Sequence, residues 1–185
     1  RSGDSAGVSG ELLFAALHAT GFSPRPRSVS AGDGLLLQDA YIAAVNRCAP
    51  PGNRPTPAER DRCLPFLVRE LAFLEHARTI VCLGGWAWDG ARRALAAAGH
   101  RTVPAPRFGH GTEAIVGPYT LLGCYHPSQQ NTFTGRVDRP MIETVLRRAR
   151  TLADRAHAPA PTPAAATPAP AAPAAHELRD NGRAM

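Results

Sequence analysis

The sequence predicts an α/β domain, a three-layer α/β/α sandwich on a mostly parallel central sheet. Two short apolar runs, "RTIVCLGG" from Arg78 and "YTLLGCY" from Tyr119, have the look of strands buried on both faces, with no polar alternation along their length. Each is followed by a segment of helical period, and strand, helix, strand, helix in alternation is the pattern of layered α/β folds. In such sheets ligands gather at the carboxyl ends of the strands.

Taken in order, "ELLFAALHATG" puts Leu12, Leu13, Ala16 and Leu17 on one stripe and ends at Gly21, which predicts a helix. "LLLQDAYIAAVNRC" reads as β-like from Tyr41 to Val45 and runs into a loop, "CAPPGNRPTP", whose prolines and glycine exclude regular structure. Thr56, Pro57 and Glu59 spell a helix start: an N-cap, a proline at the first helical position and the acid of a capping box. Pro65 should kink that helix or divide it in two before it ends near His76. After the first buried strand, "WAWDGARRALAAAGH" reads as a helix with Trp86, Ala87, Gly90, Ala91 and Leu95 inward. A loop containing "PRFGHG" leads to the second strand. Beyond the polar loop "HPSQQNTFTGR" lies a last helix with Ile142, Val145, Leu146, Ala149 and Leu152 at helical spacing. From Ala156 the sequence is almost wholly Ala and Pro, so residues 156–185 read as a disordered tail and 1–155 as the domain.

All 21 basic residues are Arg, and the formal charge is +6, which favours a polyanionic partner. The complete absence of Lys in part reflects coding bias towards GC-rich DNA. No segment approaches the roughly 18–20 apolar residues of a membrane span, and none resembles a signal peptide, so the reading is cytoplasmic with no membrane partner. Four irregularly spaced cysteines suit free thiols or metal ligands better than disulfides.

The loop from His126 to Arg136 gathers the chemistry. His126 follows a buried strand and is stiffened by Pro127; Ser128, Gln129, Gln130 and Asn131 add donors, and Arg136 adds a cation near a helix start. Such a loop suits an anion or a base edge, but a solvated turn would use the same residues. Asn53 alone is equally at home in a turn, and Cys48 and Cys63, fifteen residues apart, are alone a weak pair. Cys82 and Cys124 sit in strand patterns and read as core. His110 reads as a loop-supporting residue.

Together, "CYHPSQQNTFTGR" and "RCAPPGNRPTPAERDRC" resemble the motif pair of the uracil-DNA glycosylase superfamily, in particular its iron-sulfur family 5, or B-type, members from bacteria and archaea. The resemblance runs from about Leu12 to Ala153. It implies excision of uracil, and of other deaminated bases, from DNA by hydrolysis of the N-glycosidic bond, by a monomeric repair enzyme. It implies that His126 donates to uracil O2 as charge gathers on the leaving base, and that Asn53 pairs with the uracil edge. Asn131 would line the pocket or orient the sugar. Ser128, Gln129 and Gln130 would follow the backbone while the nucleotide is flipped out, and Arg136 would sit near phosphate. Cys48 and Cys63 would be two of the four ligands of a structural 4Fe-4S cluster.

The family pattern opens with a C-x-x-C, a first strand and a Thr-Gly-Asp step, none of which precedes the first helix here. The expectation is therefore an N-terminally truncated domain lacking its first strand. The favoured register of "RSGDSAG" puts the aspartate of that step before Arg1; in the other register Asp4 stands in for it. Two other readings remain: a non-catalytic DNA-binding remnant, and a nucleotide-binding α/β domain, the latter weakened by the absence of any G-x-G-x-x-G.

Overall fold

The computed structural model describes residues 8–30 and 32–157, without the side chains of Val8, Asn53, Ala156 and His157. The described elements are α1 (Val8–Ala19), a 3₁₀ turn (Pro51–Asn53), α2 (Pro57–Phe73), β1 (Thr79–Leu83), α3 (Gly85–Ala97), β2 (Glu113–Val116), β3 (Tyr119–Cys124), α4 (Gln129–Phe133) and α5 (Arg139–His157). Asp4 and the Ala/Pro segment from 158 onward lie outside the described residues.

The sheet has the order β1-β3-β2. β3 runs parallel to β1, with Leu83 beside Cys124, and antiparallel to β2, with Glu113 beside Leu122. The described sheet is thus mixed: the parallel pair is the one expected, and β2 is a strand within the stretch read as a loop. A parallel neighbour needs a crossover, here supplied by α3, whereas β2 reaches β3 by the tight turn at Gly117–Pro118.

Alternate strand residues face opposite layers. Val81, Leu83, Leu122 and Cys124 join Ala16 and Leu17 of α1 and Ile142, Val145, Leu146 and Ala149 of α5. Ile80, Cys82 and Leu121 face the other way, onto Trp88, Ala91 and Leu95 of α3. Two helical layers therefore enclose the sheet, as the sandwich reading requires. Burial pushes the thiols of Cys82 and Cys124 up, to about 12 and about 11, so both stay protonated core residues.

Three local expectations are corrected. Residues 41–45 form no strand. Among the described residues the segment touches helices at two points: Val45 lies against Gly90, where an added methyl would be 2.7 Å from it, and the Tyr41 hydroxyl donates to Glu70 on α2 at 2.8 Å, while Tyr41, Ile42, Ala43 and Ala44 are exposed. α2 is not divided at Pro65, division being the second of the two outcomes its proline allowed, and it ends at Phe73 rather than near His76. The ring removes one ladder bond, and the complete capping box at Thr56 and Glu59, together with packing on α3, holds the remaining turns. On α3, Trp88 is the buried tryptophan, while Trp86 is half-buried and donates to Asn46 Oδ1 at 2.8 Å.

Candidate active site

The carboxyl ends of β1 and β3 meet at one point. Gly84 N–H donates to the Cys124 carbonyl at 2.7 Å, extending the parallel ladder one step past Leu83. Gly84 then adopts φ +93° and ψ +162°, a backbone region open essentially to glycine alone, and turns the chain into α3. β3 continues through Tyr125 to His126. A methyl on Gly84 would stand 3.2 Å from His126 Cβ, so the missing side chain is the space into which His126 is set.

His126 keeps an open face to solvent while its inner side is crowded by this junction. That partial desolvation lowers its pKa, so the ring is held neutral at pH 7 and keeps one N–H to donate.

The residues after it are arranged around its carbonyl. Ser128 N–H and Asn131 Nδ2 each donate to His126 O at 2.8 Å. Ser128 is the N-cap of α4, its hydroxyl accepting from Asn131 N–H at 3.4 Å. The Asn131 carbonyl accepts from Arg136 and Val137 N–H, which folds the loop back towards α5. Asn131 thus spends its amide nitrogen on fixing His126. Gln129 and Gln130 are exposed on α4, and the exposed Arg136 lies over the Tyr125 ring at 4.8 Å. His126, Ser128, Asn131 and Arg136 are brought together, with the two glutamines on the outer side of the same loop.

Asn53 ends the 3₁₀ turn that follows Cys48, and only its backbone is described. Cys63, on α2, accepts a hydrogen bond at Sγ from Arg47 N–H at 3.4 Å. Helix α2 therefore carries its thiol to the amide of Arg47, the residue before Cys48, and a thiol that accepts an amide is set up as a thiolate ligand would be. Both cysteines are free. Two thiols fit half of a cluster's ligand set, and among the described residues no group of three or more His, Cys, Asp or Glu is placed to hold a metal ion.

The loop "FGHG" packs on β3 at Gly123 and Tyr125, just before His126, and there His110 is the loop-supporting residue the sequence suggests. Gly109 O lies where a Gly123 methyl would be, 2.1 Å away, so the loop crosses β3 in direct backbone contact. His110 Nδ1 then accepts from Tyr125 N–H at 3.1 Å. A separate cleft of about 350 Å³ along the second half of α3, edged by Arg92, Arg93 and Arg101, includes none of these groups.

Residues 5–150 match the sequence model of the Uracil DNA glycosylase superfamily. The type-5 uracil-DNA glycosylase of Mycobacterium tuberculosis is 51% identical over 147 residues, 78% of this chain and 54% of that protein. That of Thermus thermophilus is 42% identical over 147 residues, 79% of this chain and 65% of that protein. That of Pyrobaculum aerophilum is 38% identical over 142 residues, 77% of this chain and 60% of that protein. The chain thus spans a little over half of the first of these relatives and under two thirds of the others. With the α/β sandwich and the His126 loop at the joined strand ends in place, the family match over most of its length means that the chain belongs to the uracil-DNA glycosylase superfamily.

Proposed function

We propose that this chain carries the leaving-group side of a glycosylase that hydrolyses the N-glycosidic bond of uracil in DNA and leaves an abasic site. The observation that carries the reading is His126: a neutral imidazole with one open face, rigidly set on the Gly84 junction where two parallel strands end. In an N-glycosidic cleavage the bonding electron pair leaves with the base, and water captures the cationic sugar and gives up a proton. A fixed N–H donor aimed at the uracil oxygen gains strength as that charge develops, a contribution often worth about 3 kcal/mol. The enzyme must take the nucleotide out of the stack to reach this bond, and the exposed Gln129 and Gln130, with Ser128 between them and His126, are placed to hold the backbone while that happens. Asn53 is proposed to read the uracil edge, with one donor and one acceptor that cytosine would leave unmatched. Arg136 is proposed to contact phosphate, in which case it must leave the Tyr125 ring.

Cys48 and Cys63 are proposed as two ligands of a structural 4Fe-4S cluster, which when bound would tie the loop bearing Asn53 to α2. The proposed protein is monomeric and works on chromosomal DNA; no described helix is long and apolar enough to cross a membrane. Asp4 remains a proposed candidate for orienting water.

The test is uracil release from a uracil-containing oligonucleotide by the full-length gene product. His126→Ala and Asn53→Ala should each lower the single-turnover rate by about 10²-fold or more. Full release by both variants would overturn the assigned roles, and DNA binding without release by the unmutated protein would favour the non-catalytic remnant.

A further inference from the structure

Past Leu122 the strand β3 outruns its partner β2. The hydrogen bonds nonetheless continue along the same edge: Gly123 N–H donates to Thr112 O and Gly111 N–H to Gly123 O, both at 2.8 Å. The next donor on that edge is Tyr125 N–H, and the chain offers it no backbone acceptor, because the loop turns away at Gly111. His110 Nδ1 takes that place at 3.1 Å. The His110 ring also lies against the Tyr125 ring, with centroids 5.1 Å apart. One imidazole thus finishes the ladder at the residue immediately before His126.

We propose that His110 is the positioning residue of His126: its neutral ring holds the Tyr125 amide, and protonation at Nδ1 removes that acceptor and loosens the mount. This rests on the catalytic reading of His126 given above. An imidazole accepting at Nδ1 must carry its single proton on Nε2, and the doubly protonated ring has no acceptor at all. Protonation would also set two donors face to face, so the bond cannot survive it. The surroundings weigh both ways. Burial disfavours the charged ring, which is the larger effect, while the carboxylate of Asp138 at the head of α5 favours it. The nearby cation is Arg136, which shares the Tyr125 ring.

Two substitutions separate the hydrogen bond from the ring contact. His110→Phe keeps a ring against Tyr125 without an acceptor. His110→Asn offers an amide oxygen near the Nδ1 position and does not titrate. In the 185-residue chain, the protection of the Tyr125 amide against hydrogen exchange, corrected for the intrinsic rate, should fall as pH drops through the His110 transition. It should be low at every pH in His110→Phe and persist into acid in His110→Asn. In the full-length gene product, His110→Phe should lower the rate of uracil release by about 10-fold or more with little change in KM for DNA, the mark of a misplaced reacting group. His110→Asn should stay within about threefold of the unmutated rate and extend activity to lower pH.

Unchanged Tyr125 protection in His110→Phe would overturn the proposal, and so would an acid loss in His110→Asn matching that of the unmutated chain. Full activity in His110→Phe with an unprotected Tyr125 would show that the bond exists but positions nothing, which also overturns it. If the unmutated protein releases no uracil, the catalytic reading fails separately, while the exchange experiment still decides whether His110 holds the strand end.

Discussion

Replacing Gly84 by Ala tests whether the site depends on the backbone junction rather than on the loop alone. Two costs can be worked out from the structure. At φ +93° and ψ +162° an L-residue lies in a region that costs of order 1–3 kcal/mol. The new methyl would also stand 3.2 Å from His126 Cβ, so His126 must give way by a few tenths of an ångström. For a domain of this size each kcal/mol moves the midpoint of thermal unfolding by about 2–4 °C, so the transition should fall by about 3–10 °C. A displaced donor should further slow uracil release by about tenfold, since small misplacements of reacting groups weigh heavily on rate. Gly99→Ala is the control: Gly99 also has positive φ, at +91°, but an added methyl there meets nothing within 4 Å. It should lower stability through strain alone and leave uracil release unchanged. Thermal unfolding and single-turnover excision, measured on both variants, decide the matter. If Gly84→Ala matches the unmutated protein in both, or if Gly99→Ala slows excision equally, the reasoning about the junction is wrong.

Other expectations follow from single observations. Leu121→Ala, at a side chain with no exposed surface in the middle of the sheet, should cost about 2–5 kcal/mol in urea unfolding; a loss under about 1 kcal/mol would mean that the α3 layer collapses onto the gap. Thr56→Ala removes the hydroxyl half of the capping box, the acceptor for Glu59 N–H, and leaves the residue-56 N–H on the Glu59 carboxylate; it should cost about 1 kcal/mol, without affecting excision by much more than that loss of folding explains. The pKa values of His110 and His126 are both lowered by desolvation, so between their folded values and the unfolded value of about 6.5 the unfolded chain binds more protons. The stability they carry is therefore complete above about pH 6.5 and is lost as pH falls through their folded values. A urea midpoint at pH 5.5 equal to or above that at pH 7.5 would contradict the sign.

What the sequence determined by itself was largely what lies in local pattern. The capping box of α2 could be read directly because its partners are three residues apart. So could the two buried strands and the inward stripe of α5, since burial on both faces or on one face leaves its own periodicity. The His126 loop was legible too, since a polar run directly after a buried strand falls at the end of the sheet where ligands collect, and the family resemblance gave its residues their expected roles.

Other features depended on partners far along the chain. Tyr41 to Val45 has the residues of a strand, but a strand needs an edge to pair with, and this segment lies beside α2 and α3, touching them through Tyr41 and Val45, with no strand beside it among the described residues. Trp86 and Trp88 sit two residues apart on one helix, and only the position of the sheet decided which would be buried. Pro65 left a kink and a division both open, and a capped helix packed on α3 runs through it undivided. The same holds at the site. That Gly84 makes room for His126, and that His110 completes the ladder one residue before it, are contacts between segments well separated along the chain, the second across 15 residues. Each exists only because a parallel ladder between β1 and β3 ends where the "FGHG" loop crosses, a coincidence of position that no local pattern encodes.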